Sequence, residues 1–282
     1  MISVGGTRLH LWEAGPADGI PLILLHGFPE SSLAWRKVMR PLGERGFRVL
    51  APDMRGCGRS DMPDGIEAYA LDRLVEDVIG LADALGLPTF ALAGHDWGGI
   101  VAWAVAARHP ARVRRLTILN APHADTVADQ MRRHPRQLLR SWYVAFFQTP
   151  RVPEKMLSAF GFRALRRSLT QTSRPGAFEL TDIAAYVEQW AGPGRLTAML
   201  NYYRALRLHT GSLGRIVVPT QILWGMRDRF LGAHLADAAA AMCDDARVVR
   251  FRDDTHWLQH EVPRLIVREI AAFASQTATS GP

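Results

Sequence analysis

The stretch Gly94-His95-Asp96-Trp97-Gly98-Gly99 decides the fold of this chain. An apolar run at residues 89–93 precedes it, and small and apolar residues at 100–107 follow it. This order predicts a buried strand, a sharp turn and a helix. The glycines around the turn let the strand and the helix approach each other without Cβ clashes. The side chain at the centre of the turn is the carboxylate of Asp96.

An aspartate at this position indicates a different reaction from a serine. A serine alkoxide suits attack at an acyl carbon. A carboxylate suits displacement at a saturated carbon, because the ester that it forms is afterwards cut by water at its own carbonyl. Asp96 therefore favours the opening of an epoxide or the displacement of a halide over ester hydrolysis.

Strands and helices alternate along most of the chain. The apolar runs that predict buried strands occupy residues 21–25, 47–51, 89–93, 113–119, 217–224 and 247–251. Helical patterns lie between most of these runs. The alternation predicts a mostly parallel β-sheet that is flanked by helices. The order of strand, turn and helix around Asp96 resembles the nucleophile elbow of α/β-hydrolases, and this resemblance implies an α/β-hydrolase fold.

The alternation is interrupted between residues 124 and 213. This region has no buried-strand run and shows amphipathic helical patterns that are rich in arginine, aromatic residues and methionine. We therefore predict a core domain made of residues 1–123 and 214–282. Residues 124–213 are predicted to be an inserted, all-helical cap.

Two motifs downstream of the predicted cap supply an acid and a histidine. Trp224-Gly225-Met226-Arg227-Asp228 follows one strand, and Asp253-Asp254-Thr255-His256-Trp257 follows the last strand. In α/β-hydrolases the nucleophile, the acid and the histidine occur in this order along the chain. We predict that Asp96 attacks carbon and that His256 deprotonates the water that hydrolyses the resulting ester. Asp228 is predicted to orient His256 and to stabilise its imidazolium.

Three nearby side chains are alternatives for the acid and the histidine. His260 competes with His256, which is favoured because it lies directly beyond the predicted strand. Asp253 and Asp254 compete with Asp228, but they are so close to His256 in sequence that their carboxylates are badly placed to reach its ring.

The composition is that of a globular protein without nucleic-acid or membrane motifs. The net charge is +7, but the basic residues are spread along the chain and only Lys37 and Lys155 are lysines. The longest apolar runs are too short to span a bilayer. No secretory signal is visible, and Cys57 and Cys243 are expected to be free thiols, with one disulfide between them as the alternative. We expect a cytoplasmic monomer or homodimer with no nucleic-acid or membrane partner, no metal and no cofactor.

One local excess of arginine lies within the predicted cap. We interpret it as a solvated face, with a weak attraction for anions as the alternative. Its members are Arg132, Arg133, Arg136, Arg140, Arg151, Arg163, Arg166, Arg167 and Arg174.

Four separated motifs resemble the epoxide hydrolase branch of the α/β-hydrolase family. His26-Gly27-Phe28-Pro29 is similar to its HGxP turn, and Gly94 to Gly99 match its GHDWGG turn. Trp224 to Asp228 match WGxxD, and His256-Trp257 with the following Glu261 and Pro263 match the HW…E-x-P ending. The resemblance implies a cis proline in the first turn. It also implies an oxyanion hole formed by the backbone N–H groups of Phe28 and Trp97.

The resemblance further implies two cap tyrosines that bind and protonate the epoxide oxygen. The segment from Trp142 to Gln148 resembles Y-x-x-(Y/F)-F-Q and gives Tyr143. Asn201-Tyr202-Tyr203-Arg204 resembles N-W-Y-R and gives Tyr203 rather than Tyr202. An alkoxide is a poor leaving group, so a donor must neutralise it as the C–O bond breaks. The substrate is expected to contact Trp142, Phe146 and Phe147.

Glu30 and His95 flank the predicted catalytic groups. They are candidates for a proton relay or for positioning water, with a structurally bonded or solvated role as the alternative.

The sequence favours an epoxide hydrolase that converts an epoxide and water into a vicinal diol. A haloalkane or haloacid dehalogenase shares the Asp–His–acid set, but haloalkane dehalogenases often have asparagine at the position of Phe28. Fluoroacetate-type enzymes resemble HDRGxR at the turn, where this chain has Trp97 and Ile100, and they carry His-Trp where it has Tyr143-Val144. A noncatalytic binding protein on the same fold is the third alternative.

Overall fold

A seven-stranded sheet forms the centre of the protein in a computed structural model that describes residues 1–209 and 211–276. Its strands are β3 (Leu11–Ala14), β4 (Ile20–Leu25), β5 (Phe47–Pro52), β6 (Phe90–His95), β7 (Val113–Leu119), β8 (Thr220–Gly225) and β9 (Ala246–Phe251). The spatial order is β3-β5-β4-β6-β7-β8-β9. Only β3 is antiparallel to its neighbour, so the predicted mostly parallel sheet is confirmed.

Helices cover both faces of the sheet. A small hairpin of β1 (Ile2–Val4) and β2 (Thr7–Leu9) precedes the sheet in the chain. The α-helices outside the segment between β7 and β8 are α1 (Arg36–Gly43), α2 (Leu71–Ala84), α3 (Trp97–Arg108), α10 (His234–Ala240), α11 (Leu258–Glu261) and α12 (Pro263–Ala274). Leu22 and Leu24 of β4 pack with α1 and α12, whereas Ile23 and Leu25 pack with α2 and α3. A strand buried on both faces explains the continuous apolar run at residues 21–25.

The segment between β7 and β8 is helical. It contains α4 (Ala124–Arg133), α5 (Pro135–Arg140), α6 (Trp142–Phe146), α7 (Val152–Thr172), α8 (Leu180–Trp190) and α9 (Arg195–Ala205). Helix α7 is interrupted by the left-handed residues Phe160, Gly161 and Phe162, whose φ angles are 52°, 62° and 60°. The division into a core and a cap stays a prediction. Residue 210 of the predicted cap and residues 277–282 of the predicted core lie outside the described residues.

Two further observations concern the cysteines and the apolar character of the helices. Cys57 and Cys243 are both buried, and neither forms a disulfide. Across residues 1–209 and 211–276, no helix combines the length and the apolar character that a bilayer span needs.

Candidate active site

Asp96 lies in a strained turn between β6 and α3. Its backbone angles are φ 50° and ψ −120°, a combination that is unfavourable for a residue with a side chain. The surrounding backbones are in close contact. A Cβ atom on Gly98 would lie 2.3 Å from the carbonyl oxygen of Leu25, and one on Gly27 would lie 2.4 Å from the Cβ of Asp96. These glycines are required because the turn packs directly against the end of β4 and the loop after it.

The carboxylate of Asp96 faces a backbone donor and a histidine. The backbone N–H of Phe28 donates to Oδ1 at 2.9 Å, and Nε2 of His256 lies 3.6 Å from Oδ2. Burial alone would raise the pKa of Asp96, but the hydrogen bonding and charge of His256 outweigh it and leave this pKa below its ordinary value. Asp96 is therefore an ionised carboxylate at neutral pH.

Asp228 is fixed on the other side of the His256 ring. Its Oδ2 lies 2.7 Å from Nδ1 of His256 and accepts a 2.7 Å hydrogen bond from Nδ2 of Asn120. Its Oδ1 accepts from the backbone N–H groups of Phe230 and Leu231 at 2.7 and 2.9 Å. Four donors thus hold this buried carboxylate in one orientation toward the ring.

The two carboxylates change the protonation of His256. Burial lowers the pKa of its imidazole, but the negative charges and hydrogen bonds of Asp228 and Asp96 outweigh this effect and raise the pKa to about 10. The ring is therefore protonated at neutral pH in this arrangement, with Asp228 as the larger cause.

The alternatives for the acid and the histidine have other partners. Asp253 pairs with Arg227 at 2.7 Å, and Asp254 pairs with Arg174 at 2.5 Å. Nε2 of His260 lies 2.6 Å from Oε1 of Glu30, so its ring is engaged away from Asp96.

The five predicted cap side chains line one cavity with Asp96 and His256. The cavity has a volume of about 400 Å³, which is within the range of small-molecule sites. The cap side chains are Trp142, Tyr143, Phe146, Phe147 and Tyr203. Tyr143 comes from α6 and Tyr203 from α9, and their ring centroids are 6.0 Å apart. Burial raises the pKa of both phenols well above the ordinary value, so both are proton donors at neutral pH.

The choice between the two adjacent tyrosines of α9 has a structural basis. Tyr203 packs edge-on to Trp97 and to Phe28, with centroid distances of 5.0 and 5.3 Å. The hydroxyl of Tyr202 instead donates to the backbone oxygen of Arg55 at 2.7 Å. Only Tyr203 lines the cavity that contains Asp96.

The two predicted oxyanion donors lie in the turn after β4 and at the start of α3. The Phe28–Pro29 peptide bond is cis, as the resemblance implies. The N–H of Phe28 already contacts Asp96. Trp97 is the first residue of α3, where backbone N–H groups lack partners within the helix.

His95 supports the backbone of the histidine loop. Its Nε2 lies 2.9 Å from the backbone oxygen of His256, and Nε2 of Gln259 donates to its Nδ1 at 3.1 Å. These contacts fit a neutral ring, because one nitrogen donates and the other accepts. Burial lowers the pKa of His95 to about 4, which agrees with that state.

Glu30 is a buried carboxylate between α8 of the helical segment and α11. Its Oε1 accepts from the hydroxyl of Tyr186 at 2.8 Å and lies 2.6 Å from Nε2 of His260, while Oε2 accepts from Gln259 at 3.1 Å. Burial opposes its charge, but His260 outweighs it and lowers the pKa of Glu30 to about 2. Neither Glu30 nor His95 lines the cavity. The proton relay stays a prediction, and their contacts are those of supporting residues.

The sequence patterns do not predict two residues that hold the loop of Asp228. Asn120 follows β7 and bonds to Asp228 and to the backbone N–H of Gly225. Gln137 of α5 reaches the same loop from the helical segment. Its Nε2 donates to the backbone oxygen of Phe230 at 2.7 Å, and its Oε1 accepts from Gly232 at 2.8 Å. The position of Asn120 at the carboxyl end of a central strand is a signal that could have identified it.

Replacing Gln137 with methionine is expected to destabilise the protein. The substitution keeps the length of the side chain but leaves the backbone groups of Phe230 and Gly232 buried without partners. We expect the free energy of unfolding to fall by about 1–3 kcal/mol, measured by chemical denaturation. Gln171→Met, at an exposed position of α7, is the control and should change it little. An unchanged free energy of unfolding for Gln137→Met would mean that these hydrogen bonds make no net contribution to stability.

Comparison with known proteins identifies the family of the chain. A sequence profile described as the alpha/beta hydrolase fold matches residues 20–263. The chain is 36% identical to Epoxide hydrolase 4 of Mus musculus over 98% of this chain and 78% of that protein. The chain belongs to the α/β-hydrolase fold family, in its epoxide hydrolase branch. It is also 39% identical to the AB hydrolase superfamily protein YfhM of Bacillus subtilis, over 96% of both chains.

Solved structures of the family have the same fold over 96–98% of this chain. One is a variant of an epoxide hydrolase from Bacillus megaterium complexed with a naphthyloxy-propane-1,2-diol product. It superposes with a TM-score of 0.87 at 30% identity and covers 98% of this chain and 99% of that one. An Epoxide Hydrolase A from Mycobacterium thermoresistibile superposes with a TM-score of 0.84 at 27% identity, over 96% of both chains.

Proposed function

We propose that this protein hydrolyses an epoxide to a vicinal diol through an ester on Asp96. The observation that supports this most directly is the composition of the cavity wall. An ionised carboxylate and two protonated phenols, those of Tyr143 and Tyr203, line one small cavity. A nucleophile facing two neutral proton donors suits an electrophile whose leaving oxygen must be protonated.

In the first step, a carboxylate oxygen of Asp96 attacks a ring carbon of the epoxide. A C–O ester bond forms and the ring C–O bond breaks with its electron pair on the oxygen. Tyr143 and Tyr203 donate hydrogen bonds to this oxygen, and one of them transfers its proton as the charge develops. The product is a hydroxyalkyl ester of Asp96.

In the second step, water hydrolyses this ester at the carbonyl carbon of Asp96. Nε2 of His256 takes a proton from the water, and Asp228 stabilises the resulting imidazolium. The backbone N–H groups of Phe28 and Trp97 donate to the oxyanion of the tetrahedral intermediate. Collapse of the intermediate expels the diol oxygen, which takes the proton from His256. The second proton of the water returns to the tyrosine that was deprotonated in the first step, and this restores the Asp96 carboxylate.

Formation of the ester prepares His256 for its role as a base. In the free protein the charge of Asp96 contributes to the high pKa of His256. The ester is neutral, so this contribution is lost and the pKa of His256 falls. The histidine thus loses its proton more easily at the stage at which a base is required.

The two half-reactions should depend differently on pH. The pKa of Asp96 is lowered, so its carboxylate stays ionised. The pKa values of Tyr143 and Tyr203 are raised, so their phenols stay protonated. We therefore expect a constant rate of ester formation between about pH 6 and 9. Hydrolysis of the ester should accelerate as pH rises, because His256 must be neutral. Stopped-flow tryptophan fluorescence separates the two rates, and a hydrolysis rate that fell with rising pH would contradict the role of His256.

The two tyrosines distinguish epoxide opening from halide displacement. A departing halide needs no proton, whereas the epoxide oxygen does. Tyr143→Phe and Tyr203→Phe should each slow ester formation by roughly 10²-fold, and the double substitution should nearly stop it. Either remaining tyrosine should support partial activity. The measurements are diol formation from an aryl glycidyl ether and halide release from a haloalkane.

Tyr202→Phe is the matched control for this prediction. It removes the same hydroxyl from the neighbouring residue of α9, whose bond is to the backbone of Arg55. Rapid epoxide opening by the folded double variant, or halide release without diol formation by the unmodified protein, would favour the dehalogenase alternative.

A further inference from the structure

The cavity that contains Asp96 has two arginines in its lining. Among the residues that the structure describes, Arg140 and Arg229 are the only charged side chains that line it apart from Asp96 and His256. Arg140 ends α5, and Arg229 directly follows Asp228 in the chain. Both side chains are exposed, so they lie where the cavity opens to solvent.

Neither arginine is neutralised by a neighbouring acid. A guanidinium nitrogen of Arg140 donates to the backbone oxygen of Asp228 at 3.4 Å. Among residues 1–209 and 211–276, no carboxylate forms an ion pair with Arg140 or Arg229. Their positive charges are therefore available to a group that enters the cavity from solvent.

The chain segment that supplies this side of the cavity is basic, although Arg133 and Arg174 are paired with Asp129 and Asp254, and its exposed side chains at the cavity are apolar. Residues 132–174 contain nine arginines and Lys155, but Glu154 is their single acidic residue. Leu139, Trp142 and Met156 line the cavity and are exposed, at 75%, 63% and 58%. A ligand that fits this entrance combines an apolar body with a negative charge.

We propose that the substrate is an epoxide that carries a carboxylate at the end remote from the ring. This inference rests on the proposed function of the site. The epoxide lies against Asp96, Tyr143 and Tyr203, the apolar body contacts the aromatic walls, and Arg140 and Arg229 bind the carboxylate. A guanidinium matches the geometry of a carboxylate through paired N–H groups.

Binding of this remote group also serves the reaction. An interaction far from the reacting carbon restricts the position of the ring relative to Asp96, and this lowers the entropic part of the barrier. The positive entrance further attracts an anionic substrate, and salt weakens this attraction.

The test compares two glycidyl ethers of the same shape. The first is 4-carboxyphenyl glycidyl ether, and the second is its primary amide, which replaces the carboxylate by a neutral group of nearly equal size. The measured quantity is the ratio of kcat/KM for the acid to that for the amide at low ionic strength. We expect the acid to be favoured by about tenfold, which is the effect of two solvent-exposed ion pairs.

Substitution of the arginines should remove this preference. Arg140→Gln and Arg229→Gln should each lower the ratio by about threefold, and together they should bring it close to one. Arg45→Gln is the control, because it changes the net charge equally. Arg45 lies just before β5, at the opposite edge of the parallel sheet from the turn of Asp96. Added salt should lower the ratio of the unmodified protein and leave that of the double variant unchanged.

Binding of the two diols tests the inference independently of turnover. The affinities of the 4-carboxyphenyl diol and of its amide are measured by calorimetry for the same variants. Absence of hydrolysis with both ethers would count against the proposed function, while the ratio of diol affinities would still report on Arg140 and Arg229. An acid-to-amide ratio near one for the unmodified protein would overturn the inference. A preference that survives in the folded double variant, or that falls equally in Arg45→Gln, would overturn it as well.

Discussion

Asp96→Ala is expected to abolish turnover at the first chemical step. Within residues 1–209 and 211–276, the substitution removes the only carboxylate that lines the cavity, so no ester can form. We expect kcat/KM for an epoxide to fall by roughly 10⁴-fold or more, and mass spectrometry should find no covalent adduct. Asp64→Ala is the control, because it removes an exposed carboxylate outside the cavity.

Isotopic labelling of the unmodified protein tests the same role of Asp96. In a single turnover in H₂¹⁸O, the water oxygen attacks the carbonyl carbon of the ester and the alkyl oxygen stays with the product. The label should therefore appear in the carboxylate of Asp96, and the first diol should contain none. A labelled first diol, or appreciable turnover by folded Asp96→Ala, would indicate direct attack by water.

His256→Gln is expected to separate the two half-reactions. Asp96 still opens the epoxide, but the ester persists because no base activates the water. The mass of the protein should increase by that of one substrate after incubation, and steady-state diol formation should fall by roughly 10⁴-fold. The remaining burst of ester formation should still depend on Tyr143 and Tyr203.

His109→Gln is the matched control for this variant. His109 follows α3 at the end remote from Asp96, so the same chemical change should leave both half-reactions intact. A His256→Gln protein that is folded, unmodified and inactive would remove the histidine from a purely hydrolytic role. In that case its charge would be needed for the first step.

The meeting of Asp96, Asp228 and His256 at one place was predictable because each of them lies shortly after a predicted strand. Parallel strands place their carboxyl ends at one edge of the sheet, so motifs that are far apart in sequence meet there. The pairing of β7 with β8 also brings Asn120 beside Asp228. The sequence does not reveal this contact, because it depends on which strands are neighbours and not on the pattern within either strand.

The contacts between the helical segment and the core were much less predictable. Gln137 and Tyr186 are separated from their partners by about a hundred residues or more, and each bonds to a group that has no pattern in sequence. The choice of Tyr203 over Tyr202 came from resemblance. Adjacent helical residues point about 100° apart, and periodicity cannot tell which of them faces the cavity until the rotation of α9 is known.

The hydrogen bond between Glu30 and Tyr186 limits which chimaeras of related proteins can be stable. The carboxylate of Glu30 is fully buried, and one of its hydrogen bonds comes from Tyr186 on α8. A chimaera that joined this core to another helical segment would need a hydroxyl at the same place, because a buried carboxylate oxygen that loses a donor is destabilising. The helical segment is therefore not freely transplantable, and successful recombination should keep Glu30 and Tyr186 from the same parent.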